Sequence, residues 1–82
     1  MITRAKFKCV EVETDDRFPD GNSVKLEAVT SGSEENKSFW KYTPSGSIQM
    51  FITNKKAVEL FVAEQEYYVD FSKANIDEER FV

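Results

Sequence analysis

From Ser23 to Thr30 apolar and polar residues alternate, with Val24, Leu26 and Ala28 on one side and Lys25 and Glu27 on the other. That period of two is the mark of a half-buried β-strand. Ala5 to Thr14 also reads as a strand, but its apolar phase starts on Phe7 and Cys9 and then moves to Val10 and Val12. A phase change within one strand predicts a β-bulge or a bend from one sheet face to the other. Asp15 to Asn22, ending in Phe18-Pro19-Asp20-Gly21-Asn22, predicts a turn, because proline fixes φ and Asp-Gly tolerates left-handed geometry.

Ser31-Gly32-Ser33-Glu34-Glu35-Asn36 breaks the alternation. Ser33 is placed to cap a short helix from Glu34 to Trp40, whose first turn carries two carboxylates at the positive end of the dipole. Thr43-Pro44-Ser45-Gly46 ends it, since a residue before proline avoids the helical region. Ser47 to Thr53 is a third strand, with Ile48, Met50 and Ile52 inward and Phe51 on the opposite side. Asn54 then caps a second helix, from Lys55 to about Val62, with Ala57, Val58 and Phe61 as its apolar stripe. Glu66 to Phe71 is the last strand, with Tyr67, Val69 and Phe71 on one face.

No strand–helix–strand unit has the length of an ordinary parallel crossover, so antiparallel pairing is expected throughout. The predicted fold is mainly β with short helices (α+β): a small curled antiparallel sheet or a partly open OB/SH3-like barrel, its ends plugged by helices. One domain is expected over residues 1–72, followed by a charged tail or short helix over 73–82. The expected core is Phe7, Val10, Val12, Val24, Leu26, Ala28, Ile48, Met50, Ile52, Val58, Phe61, Tyr67, Val69 and Phe71.

Composition sets the bounds. With 82 residues there is room for one domain. A domain this small buries only about 60% of its unfolded surface, so a homo-oligomer is expected. The chain is 40% hydrophobic, too apolar for outright disorder, yet no run approaches the ~18 apolar residues of a membrane span. Met1 to Lys6 contains no apolar signal segment. No membrane association is expected.

Missing residues narrow the chemistry. There is no histidine, which removes the commonest general base and the commonest zinc ligand. Cys9 is the only cysteine, so it can form no internal disulfide, and a buried structural thiol is its simplest role. Glycines fall in no phosphate-loop spacing. Glu34-Glu35 and Glu78-Glu79 are adjacent and so do not share a helix face, while Asp15, Asp16 and Asp20 lack the EF-hand spacing. The expectation is a non-enzymatic protein with no cofactor and no metal.

The net charge of −4 conceals four blocks. Residues 1–10 carry +3 through Arg4, Lys6 and Lys8; residues 11–35 carry −6; residues 36–58 carry +4 with no Asp or Glu; residues 59–82 carry −5. The acid-free window holds Lys37, Phe39, Trp40, Lys41, Tyr42, Thr43 and Ser45. Ammonium groups, ring faces and hydroxyls together suit a phosphate-bearing ring, and these seven are the candidate ligand-binding residues. The competing role for the same residues is a solvated lysine face over aromatic core, with Trp40 as a packing anchor.

Ser31 to Trp40, Thr43-Pro44-Ser45-Gly46-Ser47, Asn54 with Ala57 and Phe61, and Glu66-Tyr67-Tyr68-Val69-Asp70-Phe71 form a set. Over residues 23 to 72 the chain resembles a family of small proteins encoded by tailed phages and prophages. The resemblance implies viral origin and expression in a bacterial host, and carries no established activity with it. The chain departs from the family pattern before the Tyr-Tyr strand, where Ala63-Glu64-Gln65 replaces a Pro-Gly-like turn.

Three occupations follow. One is capture of a small anionic or nucleotide-like ligand to counter host defence, in the host cytoplasm, with two windows paired across an oligomer. The second is a virion or assembly accessory with protein partners, as in capsid decoration or the head–tail junction. The third is binding of single-stranded nucleic acid on an OB-like sheet, with Arg4, Lys6 and Lys8 as a basic stripe. The first predicts that Lys37, Trp40, Lys41 and Tyr42 converge on one pocket.

Overall fold

The computed structural model describes residues 3–14 and 21–74. The elements run β1 (Thr3–Thr14), β2 (Asn22–Ala28), α1 (Glu34–Tyr42), β3 (Ser47–Ile52), α2 (Lys55–Val58) and β4 (Glu66–Phe71). The strands form one open, curled antiparallel sheet in the order β3-β2-β1-β4. The expected mainly β architecture is therefore present, as a curled sheet. Residues 15–20 of the turn expected over Asp15 to Asn22, and the tail beyond Ala74, lie outside the described residues.

Strand registers follow from the apolar phase. Cys9 pairs with Leu26 and Val12 with Val24, while Glu11 pairs with Lys25, so the ladder steps over Val10. The phase change in β1 is a bulge at Val10. Ala5, Phe7 and Cys9 before it and Val12 after it therefore share one face. On β4, Val69 lies opposite Ala5 and Tyr67 opposite Phe7. On β3, Ile48 lies opposite Leu26 and Met50 opposite Val24.

That common face carries the core: Ala5, Phe7, Cys9, Val24, Leu26 and Ala28, with Val12, Ile48, Met50, Ile52, Val58, Phe61, Tyr67 and Val69 packed around it. Cys9 is fully buried, as a structural thiol should be. Two expected core residues are not core. Val10 is exposed because the bulge takes it out of the ladder, and Phe71 is half exposed at the far end of β4. Ala5 and Val29 take places in the interior that the pattern did not assign them.

Since β3 and β4 are opposite edges, the connection from Thr53 to Gln65 crosses the sheet and lays Val58 and Phe61 on the core face. The second helix is shorter than expected, four residues against about eight. Asn54 caps it, its Oδ1 accepting from Lys56 N–H at 2.9 Å and Ala57 N–H at 3.2 Å. Beyond Glu59 the Tyr67 hydroxyl takes over the backbone, donating to Leu60 C=O at 2.7 Å and accepting from Val62 N–H at 2.9 Å. A side chain thus satisfies groups that a longer helix would have paired. The turn into β4 places Glu64 at φ 77°, held by its N–H donating to Cys9 C=O at 2.8 Å.

Among the described residues no helix is long and apolar enough to cross a membrane.

Candidate functional site

The other face of the sheet carries Arg4, Lys6 and Lys8 of β1 opposite Asp70, Tyr68 and Glu66 of β4. Each cation meets a carboxylate. Arg4 Nε and Nη2 donate to both oxygens of Asp70, at 2.6 and 3.0 Å. Lys6 Nζ lies 2.7 Å from Glu35 and 3.2 Å from Glu66. Lys8 Nζ lies 2.8 Å from Glu64. The positive N-terminal block is thereby matched by carboxylates of α1 and the β4 region.

Lys6 is the centre of this network, with its side chain only 11% exposed. Its ammonium also stands 5.5 Å from the Tyr68 ring and 6.0 Å from the Phe39 ring. Tyr68 donates from its hydroxyl to Glu35 at 2.7 Å, and its ring packs on Phe39 with centroids 5.9 Å apart. Glu35 and Phe39 are four residues apart and so share one face of α1, which is set down on the sheet. Asn36, 2% exposed, closes the arrangement by donating from Nδ2 to Ser31 C=O at 3.0 Å and Glu66 at 2.8 Å. α1 therefore lies on the charged sheet face, where a barrel-end plug was expected.

Protonation follows the contacts. The Lys6 ammonium, then the Tyr68 hydroxyl, holds the Glu35 carboxyl below its ordinary value. Glu66 is lowered chiefly by the Asn36 amide, with Lys6 adding to it against the opposing effect of burial. Arg4 lowers Asp70. Lys6 is raised by Glu35, and Tyr68 is raised by the same carboxylate. These shifts favour charged Lys6, Glu35, Glu66 and Asp70 and a protonated, donating Tyr68 hydroxyl.

The helix has reasons to form here. Ser33 Oγ accepts from Asn36 N–H at 3.2 Å, Glu34 and Glu35 occupy the first turn, and Lys41 occupies the last. Thr43 N–H donates to Phe39 C=O at 2.9 Å and ends it.

The seven predicted binding residues are divided by this placement. Phe39 is turned to the sheet, against Lys6 and Tyr68. Trp40 and Thr43 are half-buried. Lys37 faces outward beside Glu34, 3.7 Å away. Lys41 and Tyr42 lie together at the helix end, the ammonium 5.7 Å from a ring that is 80% exposed. Ser45 is apart, lining a shallow depression with Thr30, Pro44 and Gly46. Lys41 and Tyr42 are thus adjacent on an open surface, while Phe39 belongs to the clamp.

Of the clamp residues, Lys6 is named only in the basic stripe of the nucleic-acid reading, and Glu35, Glu66 and Tyr68 belong to no predicted site. The alternation of β1 and β4 placed Lys6, Glu66 and Tyr68 on the polar face, and this was the one signal available in sequence. Among the described residues no three His, Cys, Asp or Glu side chains are grouped to hold a metal.

No family model, curated protein or solved structure matches the chain.

Proposed function

We propose that this protein is a non-catalytic docking module, working through the outer surface of α1. The observation that carries the reading is Tyr42: a large aromatic side chain, 80% exposed, in the last turn of a helix whose Glu35 and Phe39 are clamped to the sheet. Exposed Tyr and half-buried Trp on a rigid support are the residue types that dominate protein–protein contacts. Lys37 and Lys41 lie four residues apart on the same side of α1, within the acid-free window, and favour an acidic partner surface. In the phage setting that the sequence resembles, this suits a virion or assembly accessory.

The test is a photo-crosslinking amino acid placed at position 42 in the expressing bacterium, with position 13 as control. A discrete adduct formed from position 42, and lost in Lys41→Glu, supports docking. The same adducts from both positions, or none from 42, count against it.

A second reading draws on the Lys41 ammonium beside the Tyr42 ring: capture of a small anionic or nucleotide-like ligand. Small ligands bind in concave sites, so this reading needs a partner surface to close over the pair. A calorimetric titration with mono-, di- and cyclic nucleotides separates the two. Stoichiometric heat abolished by Tyr42→Ala selects ligand capture.

A further inference from the structure

We infer that the cleft between Lys8 and Glu27, on the polar face of the sheet, is a binding site for a free aliphatic α-amino acid in its zwitterionic form. The cleft holds about 370 Å³ and is walled by Lys8 and Val10 of β1, Glu27 of β2, Glu66 of β4 and the Ser31-Gly32 segment that leads into α1. It lies at the end of the β1–β2 ladder opposite the Thr14–Asn22 rung, and it meets β4 at Glu66, the end away from Phe71.

Two charges are held apart here. Lys8 and Glu27 stand directly opposite each other in the pairing of β1 with β2. Opposite charges at such positions ordinarily meet, since their Cβ atoms are about 5 Å apart. These two diverge: the Lys8 ammonium turns to Glu64 at 2.8 Å, and the Glu27 carboxylate to Lys25 at 3.6 Å. The cleft therefore opens between a cation and an anion that do not pair with each other.

Its walls are fixed in advance. The buried Asn36 amide donates to Ser31 C=O at 3.0 Å and to Glu66 at 2.8 Å, and Lys6 holds the other Glu66 oxygen at 3.2 Å. Val10 supplies an apolar element. The bulge takes it out of the ladder and leaves its side chain exposed along this cleft. Bulges re-aim side chains in this way beside functional sites.

Ligand chemistry follows by elimination. A bare anion would meet Glu27 and Glu66, and a bare amine would meet Lys8. A molecule with both charges about one carbon answers both. Its carboxylate takes the Lys8 ammonium, its ammonium donates to Glu27, and a short aliphatic side chain covers Val10. Lys8 gives up Glu64 in exchange, and loses little because that carboxylate is 73% exposed. The site is independent of what docks on α1.

The test titrates the isotopically labelled full chain with L-valine and follows backbone amide shifts. Saturating shifts are expected at Lys8, Val10, Glu27, Ser31 and Gly32, with Ile48 and Val58 on the core face unmoved. N-acetylvaline lacks the ammonium and valinamide lacks the carboxylate. Each is expected to bind about tenfold more weakly or worse, because one charged side chain goes unanswered. In Glu27→Gln the advantage of valine over N-acetylvaline should vanish, and in Lys8→Met its advantage over valinamide. The three ligands on the parent chain decide the matter even if a variant folds poorly. Shifts that rise without saturating to the solubility limit of valine overturn the inference. So does equal binding of valine and either analogue, or discrimination that survives in both variants.

Discussion

Lys6 Nζ and Glu35 Oε2 stand 2.7 Å apart, and this contact ties the first strand to the first helix across 29 positions of sequence. The same carboxylate oxygen takes the Tyr68 hydroxyl, so β1, α1 and β4 meet at one atom. An isolated nine-residue helix is marginal in water. What holds α1 in place is this clamp and the Phe39–Tyr68 contact.

Removing the clamp should therefore loosen the helix before the sheet. In Glu35→Ala, amide hydrogen exchange in α1 is expected to accelerate about tenfold or more, while β2 amides keep their protection. Equal acceleration in both elements would show that α1 and the sheet open as one unit and that the clamp is incidental.

The pattern of the chain gave away the sheet but not the clamp. Val24, Leu26 and Ala28 announce β2 by alternation; Ser33 and Asn54 announce the two helix starts; the shift from Phe7 and Cys9 to Val12 announces the bulge. Each signal lies within a few residues of the feature it reports. Lys6, Glu35 and Glu66 are distant in sequence, and a charged residue on a polar face looks the same whether water or a carboxylate faces it. Phe39 failed for the same reason. Its neighbours Lys37 and Lys41 suggested a ligand site, whereas its own partner, Tyr68, is 29 residues away.

The bulge makes Val10 and Val24 a test of packing against hydropathy. Val24, 1% exposed, is expected to cost about 2 kcal/mol when changed to Ala, through lost burial and an unfilled cavity. Val10→Thr, at a site outside the ladder, should cost less than about 0.5 kcal/mol. Urea unfolding curves of the two variants give both values; a Val10 cost equal to that of Val24 would mean that Val10 is a packed core residue.

Stability should fall on both sides of neutrality. Glu35, Glu66 and Asp70 are held below their ordinary values of 4.5, 4.5 and 3.8. A carboxyl lowered by folding contributes stability that is complete above its unfolded value and lost as pH drops through its folded one. The melting temperature is thus expected to hold from pH 7 to about pH 5 and then decline. Lys6 and Tyr68 are raised above 10.5 and 10.0, so their contribution is complete below those values and lost as pH climbs through the folded ones. Glu35→Gln should shrink both limbs when melting is followed by circular dichroism.

Glu64 occupies a left-handed conformation that costs a side chain with a Cβ roughly 1 kcal/mol. Glycine adopts it freely. Glu64→Gly gives up the exposed pair with Lys8, which is of little worth at the surface. The expected result is a gain of about 0.5 kcal/mol after the extra freedom of glycine in the unfolded chain is allowed for. Glu64→Val should instead lower the melting temperature, because a β-branched residue fits this φ worst. A loss in both variants would assign the turn's stability to the ion pair.

Gly32 is the position where the smallest change should have the widest effect. Its φ is +114°, and a Cβ there would sit 2.8 Å from Asn36 Nδ2. That nitrogen already spends its two hydrogens on Ser31 C=O and Glu66, and Asn36 Oδ1 is buried without a partner. A flipped amide would turn its oxygen onto those two acceptors, so any displacement breaks a bond in a buried site. Gly32→Ala is expected to cost about 2–3 kcal/mol, from backbone strain and the lost hydrogen bond together. For a domain of this size that is a fall of roughly 10 °C or more. The acid limb should change too, because the Asn36 amide is the first cause of the lowered Glu66 carboxyl. In the variant the decline should begin at a higher pH than in the parent. A melting temperature that drops without this displacement of the acid limb would separate the strain at Gly32 from the Asn36–Glu66 bond, and would place the loss in the backbone alone.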